Sequence, residues 1–69
     1  MEFKNKIKAL TGYQGINLKA LSVATKINYA NIARWARNEN QPNLCDAYRL
    51  SKELGCSIDD LVYREEDSH

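Results

Sequence analysis

LSVATKINYANIARWARNENQP, residues 21–42, reads as two short helices joined by a tight turn. Leu21, Ser22 and Thr25 form the apolar or small face of the first helix, Ile32 and Trp35 that of the second, and Ile27 lies in the turn. Asn28 stands where an N-cap belongs, its side-chain oxygen placed to accept from the free N–H groups of the next turn. Asn38 and Pro42 stand where that second helix should stop. The spacing is that of a helix-turn-helix, with the second helix facing outward.

Setting Ile32 as the inward direction and stepping about 100° per residue brings Trp35 and Ala36 inward and turns Ala30, Ala33, Arg34 and Arg37 outward. Small side chains let a helix axis sink into a DNA major groove, and an arginine forks onto guanine O6 and N7. Tyr29 and Asn31 fall in the first turn, the part of such a helix nearest the bases. For each there is a plainer role: alanines as good helix formers, arginines as solvated charge, Tyr29 folded back onto the core.

Working outward, Phe3, Ile7 and Leu10 at i, i+4, i+7 predict an inward stripe on a first helix from Glu2 to about Gln14, interrupted by Gly12 and ended by Gly15. Asn17 caps a second helix, Leu18 to Thr25, whose N-terminus with Asn17 and Lys19 is suited to hold a phosphate. Beyond the third helix, Asn40 and Gln41 lie in a polar loop within reach of backbone phosphates. Leu44, Ala47, Leu50, Ser51 and Leu54 predict the core face of a fourth helix closed by Gly55. Ser57 opens a short fifth helix, with Asp59 and Asp60 at its positive end. Leu61, Val62 and Tyr63 follow as an apolar patch, and residues 65–69 as a charged tail expected to be disordered.

Residues Ile7 and Leu10, Gly15-Ile16-Asn17, Leu21-Ser22, Ile27-Asn28, Ile32 and Trp35, then Pro42, Leu44, Leu50-Ser51, Leu54-Gly55-Cys56-Ser57 and Asp60-Leu61 together resemble the Cro and phage-repressor (XRE-type) helix-turn-helix family. The resemblance covers nearly the whole chain, from Phe3 to Val62. It implies an all-α, five-helix, lambda-repressor-like domain over residues 1–64 that binds double-stranded DNA. It assigns base contact to the positions of Tyr29, Ala30 and Arg34, and backbone contact to those of Asn28 and Arg37. It also implies a bacterial or phage regulator, a repressor more than an activator, and a weak homodimer formed near the end of the fifth helix by Leu61, Val62 and Tyr63. Three positions depart from the family pattern: Thr11 where a basic residue is usual, Leu18 where glutamine is frequent, and Lys26 where glycine lets the turn take a positive φ.

At 69 residues the chain holds one domain, for which a helical bundle is the economical solution. Net charge is +1, but its distribution is uneven. Residues 1–38 carry seven Lys and Arg against one acid (+6), and residues 39–69 carry three against eight (−5). The half with the helix-turn-helix is the basic one, as expected if that face meets phosphates. Cys45 and Cys56 have neither CxxC spacing nor a partner histidine and are expected to be reduced, largely buried thiols. No apolar run approaches the ~20 residues of a membrane span and no signal-peptide core opens the chain, so a cytoplasmic protein is expected. No nucleophile–base pair, metal spacing or glycine-rich phosphate loop points to an enzyme, a metal or a cofactor. The competing reading is a protein-interaction module, an adaptor or antitoxin-like part of a larger regulator, which keeps the fold but reads DNA weakly or not at all. The departures at Thr11 and Leu18 and the acidic second half favour it.

Overall fold

The computed structural model describes residues 3–67. Five helices, α1 (Ile7–Gln14), α2 (Leu18–Thr25), α3 (Tyr29–Ala36), α4 (Leu44–Leu54) and α5 (Ile58–Leu61), carry the fold. Two short strands, β1 (Phe3–Asn5) and β2 (Val62–Arg64), pair antiparallel and bring the ends of the domain together, with Phe3 opposite Arg64, Lys4 opposite Tyr63 and Asn5 opposite Val62. The five-helix plan expected from the sequence is present, with this β pair added to it.

The β pair corrects the expected start of the first helix. Asn5 is a poor helix former, and its side chain is occupied elsewhere: Oδ1 accepts from the Ile7 N–H at 3.1 Å while Nδ2 donates to the Trp35 carbonyl at 2.6 Å. The backbone therefore turns helical only at Ile7, and the Lys6 N–H is taken by the Leu61 carbonyl at 2.8 Å. Asn5 is buried, whereas Phe3, at the outer end of the strand pair, stays half exposed instead of extending the inward stripe.

The helices bury one continuous core of Ile7, Leu21, Ile27, Ile32, Trp35, Ala36, Ala47, Leu50, Leu54 and Leu61, with Leu10, Ile16, Leu18, Cys56 and Val62 packed at its margin. On α4 the stripe Ala47, Leu50, Ser51, Leu54 is buried as expected, but Leu44 is 74% exposed. It lies in the first turn, which no other element covers, and Cys45 beside it is exposed as well. Cys56 is half-buried; burial first, then the Asp60 carboxylate, raises its thiol pKa and keeps it protonated. Beyond β2, Glu65–Asp67 form a single 3-10 turn where a disordered tail was expected; Ser68 and His69 of that tail lie outside the described residues.

Four of the five helices begin on a side-chain cap. Asn17, Asn28, Asn43 and Ser57 accept from the N–H groups of Ala20, Ala30, Asp46 and Asp60. In the turn of the helix-turn-helix, Lys26 adopts φ 61°, the left-handed conformation for which the family uses glycine. A side chain in that region costs about 1–2 kcal/mol, offset in part by the ~0.4–1 kcal/mol of chain entropy that a glycine would lose on folding. Lys26→Gly is therefore expected to stabilise the domain by about 0.5–1 kcal/mol, read as a higher urea midpoint with an unchanged m-value. A lower midpoint would show that the lysine side chain contributes more than its backbone strain costs.

Candidate nucleic-acid interface

The outward face of α3 rests on what holds the helix from inside. Ile32, Trp35 and Ala36 are buried, so the helix cannot rotate without exposing them. At its N-terminus the Asn28 side chain accepts from the Ala30 N–H at 2.8 Å. The Ser22 hydroxyl donates to the Ile27 carbonyl at 2.5 Å and fixes the preceding turn to α2. Ser22 was expected only as a small residue on the inner face of α2; the bond to the turn adds a second reason for its place.

With the helix so fixed, Tyr29, Ala30, Arg34 and Arg37 are exposed and Ala33 is half-buried. Asn31 accepts from Arg34 through its Oδ1 at 2.5 Å, which holds the guanidinium along the helix surface with its remaining donors free to face outward. Sequence reasoning gave Asn31 little weight, yet its place three residues before Arg34 is the i,i+3 spacing at which side chains meet on a helix. Arg37 Nε donates to Glu39 Oε2 at 2.6 Å in an exposed pair. The hydrogen bond to Glu39 raises the Arg37 pKa and lowers that of Glu39, so both are charged across the neutral range and the acid offsets part of the positive charge at this end of α3.

Two shallow grooves flank Tyr29. The larger, about 570 Å³, runs between the end of α1, the start of α2 and the side of α3, and brings Asn17, Tyr29, Ala33 and Arg37 together with Lys8 on one wall. The smaller, about 360 Å³, joins Lys19, Ser22, Val23 and Tyr29. The Asn17 side chain is engaged as the cap of α2, accepting from the Ala20 N–H at 2.7 Å. Lys19 and Asn40 are exposed, Asn40 in the loop beyond α3. Gln41, expected within reach of backbone phosphates, is turned inward and donates to the Phe3 carbonyl and to Asn38. Not all of the basic half faces this side: Lys6 places its ammonium 5.3 Å from the centre of the Tyr63 ring, beside the β pair.

The departures from the family pattern have structural consequences here. Thr11 is buried, its hydroxyl donating to the Ile7 carbonyl at 2.9 Å, so it lines the larger groove without offering a charge to a phosphate. Leu18 packs at the core margin and forms part of the floor of the larger groove. The expected pairing surface is corrected in one residue: Leu61 is fully buried in the domain's own core and has no area to offer a second copy, while Val62 and Tyr63 are half-buried in β2.

Helices α2 and α3, fixed by their turn and presenting an arginine- and alanine-bearing face, define a helix-turn-helix. The chain belongs to the Cro/C1-type helix-turn-helix DNA-binding domain family, whose profile matches residues 6–67. Over 72 aligned positions it is 33% identical to the HTH-type transcriptional regulator DicA of Escherichia coli strain K12, a match covering 97% of this chain and 53% of DicA. The chain thus spans about half the length of that relative. Its fold is similar to the crystal structure of a presumed DNA-binding protein from Bacteroides fragilis, with a TM-score of 0.81 at 21% identity over 88% of this chain and 98% of that one. Among the described residues no helix is long and apolar enough to cross a membrane.

Proposed function

We propose that the chain is a sequence-specific DNA-binding transcriptional regulator, a repressor that binds a palindromic operator as a dimer through α3. The observation that carries this reading is the division of α3 itself. One side, Ile32, Trp35 and Ala36, is committed to the core, and the other offers Ala30 and Arg34 to solvent with the guanidinium held by Asn31. On this reading Tyr29, Ala30, Ala33 and Arg34 meet base edges. Asn17, Lys19, Asn28, Arg37 and Asn40 hold phosphates, the helix N-termini of α2 and α3 contributing their N–H groups. Since Leu61 is spent on the core, pairing of two copies falls to Val62 and Tyr63 on β2. DNA binding by the family and the regulatory role of DicA support the reading.

The test is retention of randomised duplex DNA at two salt concentrations, followed by sequencing. The expected result is an enriched palindrome whose half-sites lie about 10 bp apart, with retention falling steeply as salt rises. Salt-sensitive retention without enrichment would reduce the function to electrostatic DNA binding. No retention at low salt would favour instead a protein-interaction module, to which the exposed Val23, Leu44 and Tyr48 would give an apolar surface.

A further inference from the structure

Three amide side chains close a polar cluster between β1 and the end of α3. Asn5 is 6% exposed, and every polar group of its side chain is used. Oδ1 accepts from the Ile7 N–H, while Nδ2 donates to the Trp35 carbonyl and to Gln41 Oε1, each at 2.6 Å. Asn38 Oδ1 accepts both the Asn5 N–H at 2.9 Å and Gln41 Nε2 at 3.0 Å, and Gln41 Nε2 also reaches the Phe3 carbonyl at 3.2 Å. The amide orientation of Asn5 is not arbitrary. A backbone N–H can only donate and a carbonyl can only accept, so the bonds to Ile7 and Trp35 determine which end is which.

The place of the cluster matters more than its bond count. Asn38 holds φ 60° and ends α3, with its own N–H on the Trp35 carbonyl at 2.8 Å and the Glu39 N–H on the Arg34 carbonyl at 3.1 Å. Asn38 and Gln41 therefore bracket Glu39 and Asn40, the exposed tip of the loop, and tie both of its ends to β1. The start of α3 is fixed by the Asn28 cap and the Ser22–Ile27 bond; its end is fixed by this cluster. Through β1 the same bonds reach β2, so the end of α3 and the Val62–Arg64 strand are held in one frame.

We propose that Asn5, Asn38 and Gln41 are positioning residues for DNA reading, holding the end of α3 and the 39–40 loop at the angle at which Arg34, Arg37 and Asn40 meet the duplex. Gln41 acts through Asn5 and Asn38 and does not touch DNA. This rests on the DNA-reading function proposed above and adds to it a control that lies behind the reading face.

The test is Gln41→Ala, a half-buried position whose loss leaves the core intact, measured on the enriched duplex and on a scrambled duplex of equal length. Binding is measured at several salt concentrations and at a temperature where circular dichroism shows the variant fully folded. Loss of the three Gln41 side-chain bonds is expected to weaken binding to the enriched duplex about three- to ten-fold, with the scrambled duplex less affected. The salt slope is expected to stay close to that of the wild type, because no cationic side chain is removed. Asn5→Ala, where it folds, is expected to give the same loss, and the double variant no more than the larger single loss, since the residues act as one unit. An equal fold-loss on the enriched and the scrambled duplex would make Gln41 a direct backbone contact and overturn the proposal. Unchanged affinity in the folded variant would make the cluster purely structural and overturn it too. A wild-type protein that retains no duplex would overturn the DNA-reading function instead, an outcome distinct from both.

Discussion

Leu61→Ala is expected to destabilise the domain by about 2–5 kcal/mol, measured by urea unfolding, with the loss persisting on dilution. Leu61 is fully buried, as are Ile7, Leu21, Ile32 and Leu50, and it joins α5 to β2, its carbonyl accepting the Lys6 N–H. Truncation removes the transfer energy of the side chain and leaves a cavity that the fixed strand pair cannot close. A 69-residue domain has a total stability of only ~3–10 kcal/mol, so the variant is expected to be largely or partly unfolded at room temperature. The companion change Tyr63→Ala, at a half-buried strand position, is expected to cost far less in the monomer and to weaken pairing of two copies instead. A loss below about 1 kcal/mol at Leu61 that appears only at high protein concentration would return this residue to the interface.

That Leu61, the first residue of the expected apolar patch, turns out to be core marks how far the sequence alone carries. Periodicity is a statement about one element at a time, and it worked where an element is long enough to repeat. The α3 stripe of Ile32, Trp35 and Ala36, the α4 stripe from Ala47 to Leu54, and the caps at Asn17, Asn28 and Ser57 were all legible. The left-handed Asn38 was legible as a helix end, whereas the left-handed Lys26 was implied only by the glycine the family has at its position. What escaped was decided between elements far apart in the chain. Phe3 completes a perfect i, i+4, i+7 pattern with Ile7 and Leu10, yet Asn5 is drawn to a carbonyl 30 residues away and the backbone leaves the helix. Leu44 continues the α4 stripe in sequence but reaches beyond any covering element. Of the candidate interface, the outward arc of α3 was readable from its spacing, whereas the Asn31–Arg34 bond and the inward turn of Gln41 depend on side-chain geometry that no periodicity encodes.

Arg34 is where that geometry bears most directly on recognition. Arg34→Ala is expected to weaken binding to the enriched duplex by about 1–3 kcal/mol per half-site and to relax the preference at one base pair in each. The magnitude follows from what is lost: a guanidinium places two parallel donors on guanine O6 and N7, and the alanine leaves those acceptors without partners. Asn31 holds the guanidinium before DNA arrives, so less side-chain entropy remains to be lost on binding. Asn31→Ala is accordingly expected to give a smaller loss at the same base pair. Arg34→Lys separates recognition from charge, since lysine keeps the positive charge but lacks the planar fork. If Arg34 reads a base, the lysine variant falls with the alanine variant on the enriched duplex while matching wild type on scrambled DNA. If Arg34 only neutralises a phosphate, lysine restores binding on every sequence, and alanine lowers the salt slope by about one without altering base preference. The second pattern would move sequence reading to the first turn of α3, where Tyr29 and Ala30 are the exposed side chains that remain.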